Sequence, residues 1–132
     1  MGTAIFAVAF VLASLGALGA VAWRRSHKSG TRMDYQLAMV ALQQQLRRNP
    51  KDAGLHVKMG LLLARRRNFA AAIESLSRAI ELEPQRAEAR FHRGLTLREM
   101  GRHKEAEEDF QWIRTHSENA YFKTAVRSLR QG

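Results

Sequence analysis

Five histidines (His27, His56, His92, His103, His116) and the acidic run Glu105, Glu107, Glu108, Asp109 are the residues whose types could do chemistry. The histidines are scattered. None belongs to an HExxH pair, and no carboxylate joins them at metal-ligand spacing on one helix face. They read as solvated or groove histidines. The acidic run reads mostly as a solvated helix face, paired with Lys104 or Arg102 nearby. Cysteine is absent, which removes disulfides, thiolate metal sites and thiol redox chemistry. No nucleophile elbow and no phosphate loop is present, so neither catalytic residues, a metal nor a cofactor is expected.

The elements that position these residues divide the chain in two. Thr3 to Trp23 is an uncharged apolar stretch that would span about 30 Å as a helix, the thickness of a bilayer core. Residues 1–23 are therefore expected to be a transmembrane anchor. A cleaved signal peptide fits less well, because the leading "MGT" has no basic residue and the apolar run is too long. Ala9, Ala13, Gly16, Ala17 and Ala20 recur as small residues at four-residue steps, suited to close helix packing in lipid. Arg24, Arg25, Lys28 and Arg32 follow at once in a basic linker, 24–32. They predict an outward N-terminus and a cytoplasmic remainder, held near anionic headgroups, as in a bacterial inner membrane.

All 22 basic and 12 acidic side chains follow Trp23, giving the remainder the full net charge of +10. Nucleic-acid binding is disfavoured despite "ARRR", 64–67. The basic residues are dispersed, acids are interspersed, and no aromatic stacking platform stands among them.

From Met33 onward the chain repeats itself. A shift of 34 residues aligns Pro50 with Pro84, Ala53 with Ala87, Gly60 with Gly94, Ala72 with Ala106, and Leu76 with Phe110. Between these markers, apolar residues recur at helical period, as in Phe69, Ala72, Ile73, Leu76 and Ile80. Proline ends a helix, Asp52 can cap the next, and small residues allow close helix crossing. Helices are expected over 33–48, 53–66, 69–82, 87–100 and 103–116, with a closing helix in "NAYFKTAVRSLRQ".

This pattern resembles the tetratricopeptide repeat family, whose 34-residue unit is a helix pair. The resemblance implies an all-α solenoid in 33–132: two full repeats, about 53–86 and 87–120, a preceding half repeat carrying Ala38 and Leu42, and a C-terminal capping helix. His56 and Arg90 stand where the family has an aromatic, Arg93 where leucine is usual, and Glu118 where a third proline would fall. The family's groove positions map onto Val57, Lys58, Leu61, Ala64 and Arg65, and onto Phe91, His92, Leu95, Arg98 and Glu99. An apolar floor with a basic rim suits an acidic or amphipathic peptide segment.

The layout of anchor and repeats is also similar to lipopolysaccharide assembly protein B, without that protein's cysteine-based metal module. The resulting expectation is a membrane-anchored scaffold, an accessory subunit or assembly factor that binds other protein subunits of a membrane complex. The alternative is a structural subunit that docks through its span alone.

Overall fold

The computed structural model describes residues 32–130. Six α-helices follow one another: α1 Arg32–Arg48, α2 Ala53–Arg65, α3 Phe69–Leu82, α4 Ala87–Glu99, α5 His103–His116 and α6 Ala120–Ser128. Met1–Gln36 and Leu37–Gly132 form separate compact units. The packed helices α2 to α6 all lie in the second.

The anchor, with its small-residue stripe from Ala9 to Ala20 and the charges Arg24, Arg25 and Lys28, lies outside the described residues. Arg32, the last of that basic cluster, is the first residue of α1. Among the described residues no helix is long and apolar enough to cross a membrane. In α1 the longest uncharged stretch, 35–46, includes four glutamines and falls well short of the ~20 apolar residues a span requires. The expected fold class is thereby corrected to an all-α repeat stack with no membrane-spanning helix among the described residues. The single-pass placement that accompanied it is set aside.

Local signals set the helix boundaries. Asp52 caps α2, its carboxylate accepting from the Leu55 amide at 3.1 Å. Asn119 caps α6 in the same way, accepting from the Tyr121 amide at 3.0 Å. The proline expected near 118 is replaced by side-chain bonding: buried Ser117 accepts from the Asn119 amide at 3.1 Å.

The turns inside the two repeats are superimposable bond for bond. The Arg67 amide donates to Ala64 and the Asn68 amide to Leu63, at 2.9 and 3.0 Å. Thirty-four residues on, Gly101 donates to Arg98 and Arg102 to Leu97, both at 2.9 Å. This is a Schellman ending, which needs a left-handed residue just past the helix. Gly101 supplies it at φ 77°; Arg67 supplies it at φ 60°, at a steric cost of about 1–2 kcal/mol for a residue with a Cβ.

The two repeats close around two linked cores. Ala53, Val57, Leu76, Ala79, Ile80 and Ala89 form the first. Leu97, Ala106, Phe110, Ile113 and Val126 anchor the second, with Phe91, Trp112 and Phe122 packed against it. Each helix pair crosses over a glycine. A Cβ added at Gly60 would lie 2.6 Å from Leu76, and one at Gly94 would lie 2.6 Å from Phe110. Helix α6 begins 33 residues after α4, in the place of a next unit's first helix, and buries Val126.

α1 departs from the half repeat expected of it. Ala38 and Leu42 keep the helix-B spacing of Ala72 and Leu76, yet no residue of α1 is buried. Ala72 and Leu76 are buried because α2 lies across them with Gly60 at the crossing. Among the described residues no helix precedes α1 to play that part.

Replacing Gly94 by valine inserts three carbons where one already collides with the Phe110 ring. The gain in helix propensity, a few tenths of a kcal/mol, is smaller than the overpacking cost. Urea unfolding of Gly94→Val is expected to show a loss of about 2–3 kcal/mol.

Candidate functional site

The inner faces of α2 and α4 run side by side, and between their C-terminal halves lies an open cleft of about 370 Å³. Leu61 and Leu95 form its floor, with Ala64, Phe69, His92 and Thr96 beside them. Arg65 and Arg67 stand on one rim and Glu99 on the other. All three are exposed, and none makes an ion pair among the described residues. The Arg67 guanidinium lies over the Phe69 ring, 5.3 Å from its centroid.

Of the groove residues expected from the sequence, Leu61, Ala64, Arg65, His92, Leu95 and Glu99 meet in this cleft. The others go elsewhere. Val57 is 2% exposed, inside the first core, because its position on α2 faces α3 and α4. Phe91 turns toward α6, with ring centroids 5.4 Å from Phe122 and 6.5 Å from Phe110. Arg98 lines a second cleft, toward α5 and α6, whose apolar wall is Phe110, Val126 and Leu129. Lys58 is exposed and lines neither cleft. Arg67, Phe69 and Thr96 line the cleft without being among the expected groove residues; the first two lie in and just after the turn that closes α2, beyond the helix positions mapped from the family.

His92 is half-buried at the cleft wall. Burial holds its pKa below the ordinary histidine value of 6.5, and the Glu88 charge offsets part of that. The unfolded chain therefore takes up the proton more readily than the folded one. His92 thus contributes stability that is fully present above about pH 6.5 and is lost as the pH falls below it.

The substituted family positions build a polar node on the opposite side of α4. Arg93 grips Asp109 of α5 with two bonds, 2.8 and 2.7 Å, and reaches Ser77 of α3 at 3.0 Å. Arg90 stands 3.5 Å from the same carboxylate, its guanidinium 4.3 Å from the centre of the Trp112 ring. Its Nε is buried without a hydrogen-bond partner, and burial pulls its pKa below the usual arginine value, with Asp109 opposing. Asp109 is 2% exposed, so this member of the acidic run is a core residue and not part of a solvated face. The rest of the run is surface: Glu105 pairs with Arg102 at 2.5 Å, and Glu107 pairs with Arg114. His56, in the other substituted aromatic position, donates from Nε2 to the Pro50 carbonyl at 2.9 Å.

Among the described residues no group of histidine and carboxylate side chains could hold a metal ion. The cleft supplies apolar surface, two guanidinium groups and a histidine, which together suit reversible binding.

Comparison with known proteins follows the same outline. A family model described as "Tetratricopeptide repeat" matches residues 57–128, more than half of the chain. Uncharacterized protein MJ0572 of Methanocaldococcus jannaschii is 37% identical over 62 residues, 47% of this chain and 72% of that protein. Among solved structures the fold is similar to that of MamA AMB-1, with a TM-score of 0.56 and 24% identity. That match covers 76% of this chain and 48% of the other, so the chain spans about half of that protein's length, and the likeness is one of fold. These matches concern the repeats and lend no support to the likeness in layout with lipopolysaccharide assembly protein B.

Two outcomes are expected of this geometry. Asp109→Asn leaves two mostly buried guanidinium groups facing a neutral amide. Breaking such a pair costs ~3–5 kcal/mol when fully buried, and the part exposure of both arginines places the loss near the lower figure. Chemical denaturation measures it. For His92, the unfolding midpoint of the wild type should fall between about pH 7.5 and pH 5.5. In His92→Gln that decline should be smaller.

Proposed function

The chain belongs to the tetratricopeptide repeat family, and on that footing we propose that it is a protein-interaction scaffold whose cleft between α2 and α4 holds a segment of another protein. The cleft itself is the observation that carries the reading. Leu61 and Leu95 present an apolar floor with room for one or two side chains, and the rim charges are not consumed by ion pairs within the fold. Burial of an apolar anchor supplies affinity, and the rim selects sequence and orientation.

Within that reading the chain acts as an accessory subunit or assembly factor of a multiprotein complex. A stack of two repeats and a closing helix gives a short concave surface, so the bound segment is short. The lining residues, an apolar floor with charged side chains at the rim, are of the kind that hold a peptide segment.

Native purification of the full chain, with mass spectrometry of what co-elutes in fixed ratio, tests this. A stoichiometric partner is expected with the wild type. Its retention should drop about tenfold or more when Leu61 and Leu95 are both cut to alanine, a loss of at least ~1.4 kcal/mol of binding. Retention unchanged in that variant, with helical content intact by circular dichroism, contradicts the proposal.

A further inference from the structure

The left-handed turn at Arg67 is the starting point. The two repeats make the same Schellman ending with the same hydrogen bonds, yet one places glycine at the left-handed position and the other arginine. At Gly101 a Cβ would meet nothing within 4 Å, so crowding does not dictate glycine there; backbone conformation does. Arg67 therefore occupies a position where glycine is the unstrained residue. A strained residue outside the core is an observation from which function is inferred.

The side chain supplies a second, independent observation. Arg67 lines the cleft, its guanidinium over the Phe69 ring that lies beside it in the same lining. Arg65 lies on the same rim. Neither makes an ion pair among the described residues. What sets them apart from other unpaired arginines is their place: both line one rim of an apolar-floored cleft, where their guanidinium donors are open to a carboxylate.

We infer that Arg67, with Arg65 beside it, is a specificity-determining residue of the cleft that seats a side-chain carboxylate of an acidic protein segment whose neighbouring apolar residue lies on Leu61 and Leu95. The inference rests on the groove reading and adds to it the chemistry of the ligand. The opposite rim strengthens the choice. Glu99 repels a second acidic group there, so the acidic residue enters from the α2 side and the segment is read in one direction. Phe69 holds the guanidinium by its ring face, which leaves the edge donors of Arg67 open to the ligand.

The test uses the full chain and two end-blocked, fluorescently labelled peptides, Glu-Glu-Leu-Leu-Gln-Gln, acidic on one side only, and its counterpart Gln-Gln-Leu-Leu-Gln-Gln, followed by polarisation. The wild type should bind the acidic peptide about tenfold more tightly. In Arg67→Gly that preference should shrink to about twofold or less, while the thermal midpoint stays level or rises by a few degrees. A midpoint that falls by several degrees makes Arg67 a structural residue and overturns the inference, as does an undiminished preference in Arg67→Gly. Equal binding of both peptides, lost when Leu61 and Leu95 become alanine, overturns it while leaving the groove reading in place. Equal binding insensitive to either change removes both. Failure of both peptides to bind also overturns it.

Discussion

The whole stack depends on how closely two helices approach at Gly60 and Gly94. At each crossing the glycine has no Cβ, and the space is filled by Leu76 in one repeat and Phe110 in the other. That approach brings Ala72, Ala79 and Ala106 into buried contact and fixes each helix pair as a rigid unit. α4 then packs on α3, and α6 on α4 and α5, through apolar side chains such as Ala89 on the first core and Val126 and Phe122 on the second. A cleft between α2 and α4 follows from this stacking: Leu61, Ala64, His92 and Leu95 on their inner faces stay half-buried.

The polar node around Asp109 works on the other face of α4. An aromatic and a leucine are usual at the positions of Arg90 and Arg93, and those would bury without partners. Here two guanidinium groups are buried instead, and the fold satisfies them with one fully enclosed carboxylate, one serine hydroxyl and the face of Trp112. A network of this kind ties α3, α4 and α5 together directionally, because a carboxylate gripped at two points tolerates little rotation. The cost is the burial of charge, visible in the unpaired Nε of Arg90 and in its pKa, lowered first by burial and further by the neighbouring Arg93.

Much of the fold was legible in the sequence because its determinants are local or periodic. Pro50 with Asp52, Gly60 with Gly94, and Ala72 with Ala106 place five helices to within about a residue, and Asp52 caps α2 as its position suggests. What escaped depends on contacts across space. Asp109 lies in an acidic run on an otherwise exposed helix, and only Arg93, 16 residues away, reveals it as a core residue. Ser117 replaces a proline through a side-chain bond that no spacing announces. Val57 and Phe91 sit at family groove positions, but helix rotation turns one into the core and the other onto α6. The expected membrane span rested on hydropathy in residues outside the described part, and no described helix takes that role.

If the cleft is the binding surface, the inner face of α2 and α4 meets a partner and the outer face does not. A photo-reactive benzophenone side chain placed in the full chain at Ala64, on the cleft wall, or at Arg78, exposed on α3, tests it most directly. Crosslinks mapped by mass spectrometry should run from position 64 to one segment of a partner that carries an acidic residue beside an apolar one, with little from position 78. Equal yields from both positions, or crosslinks from position 78 alone, would contradict it.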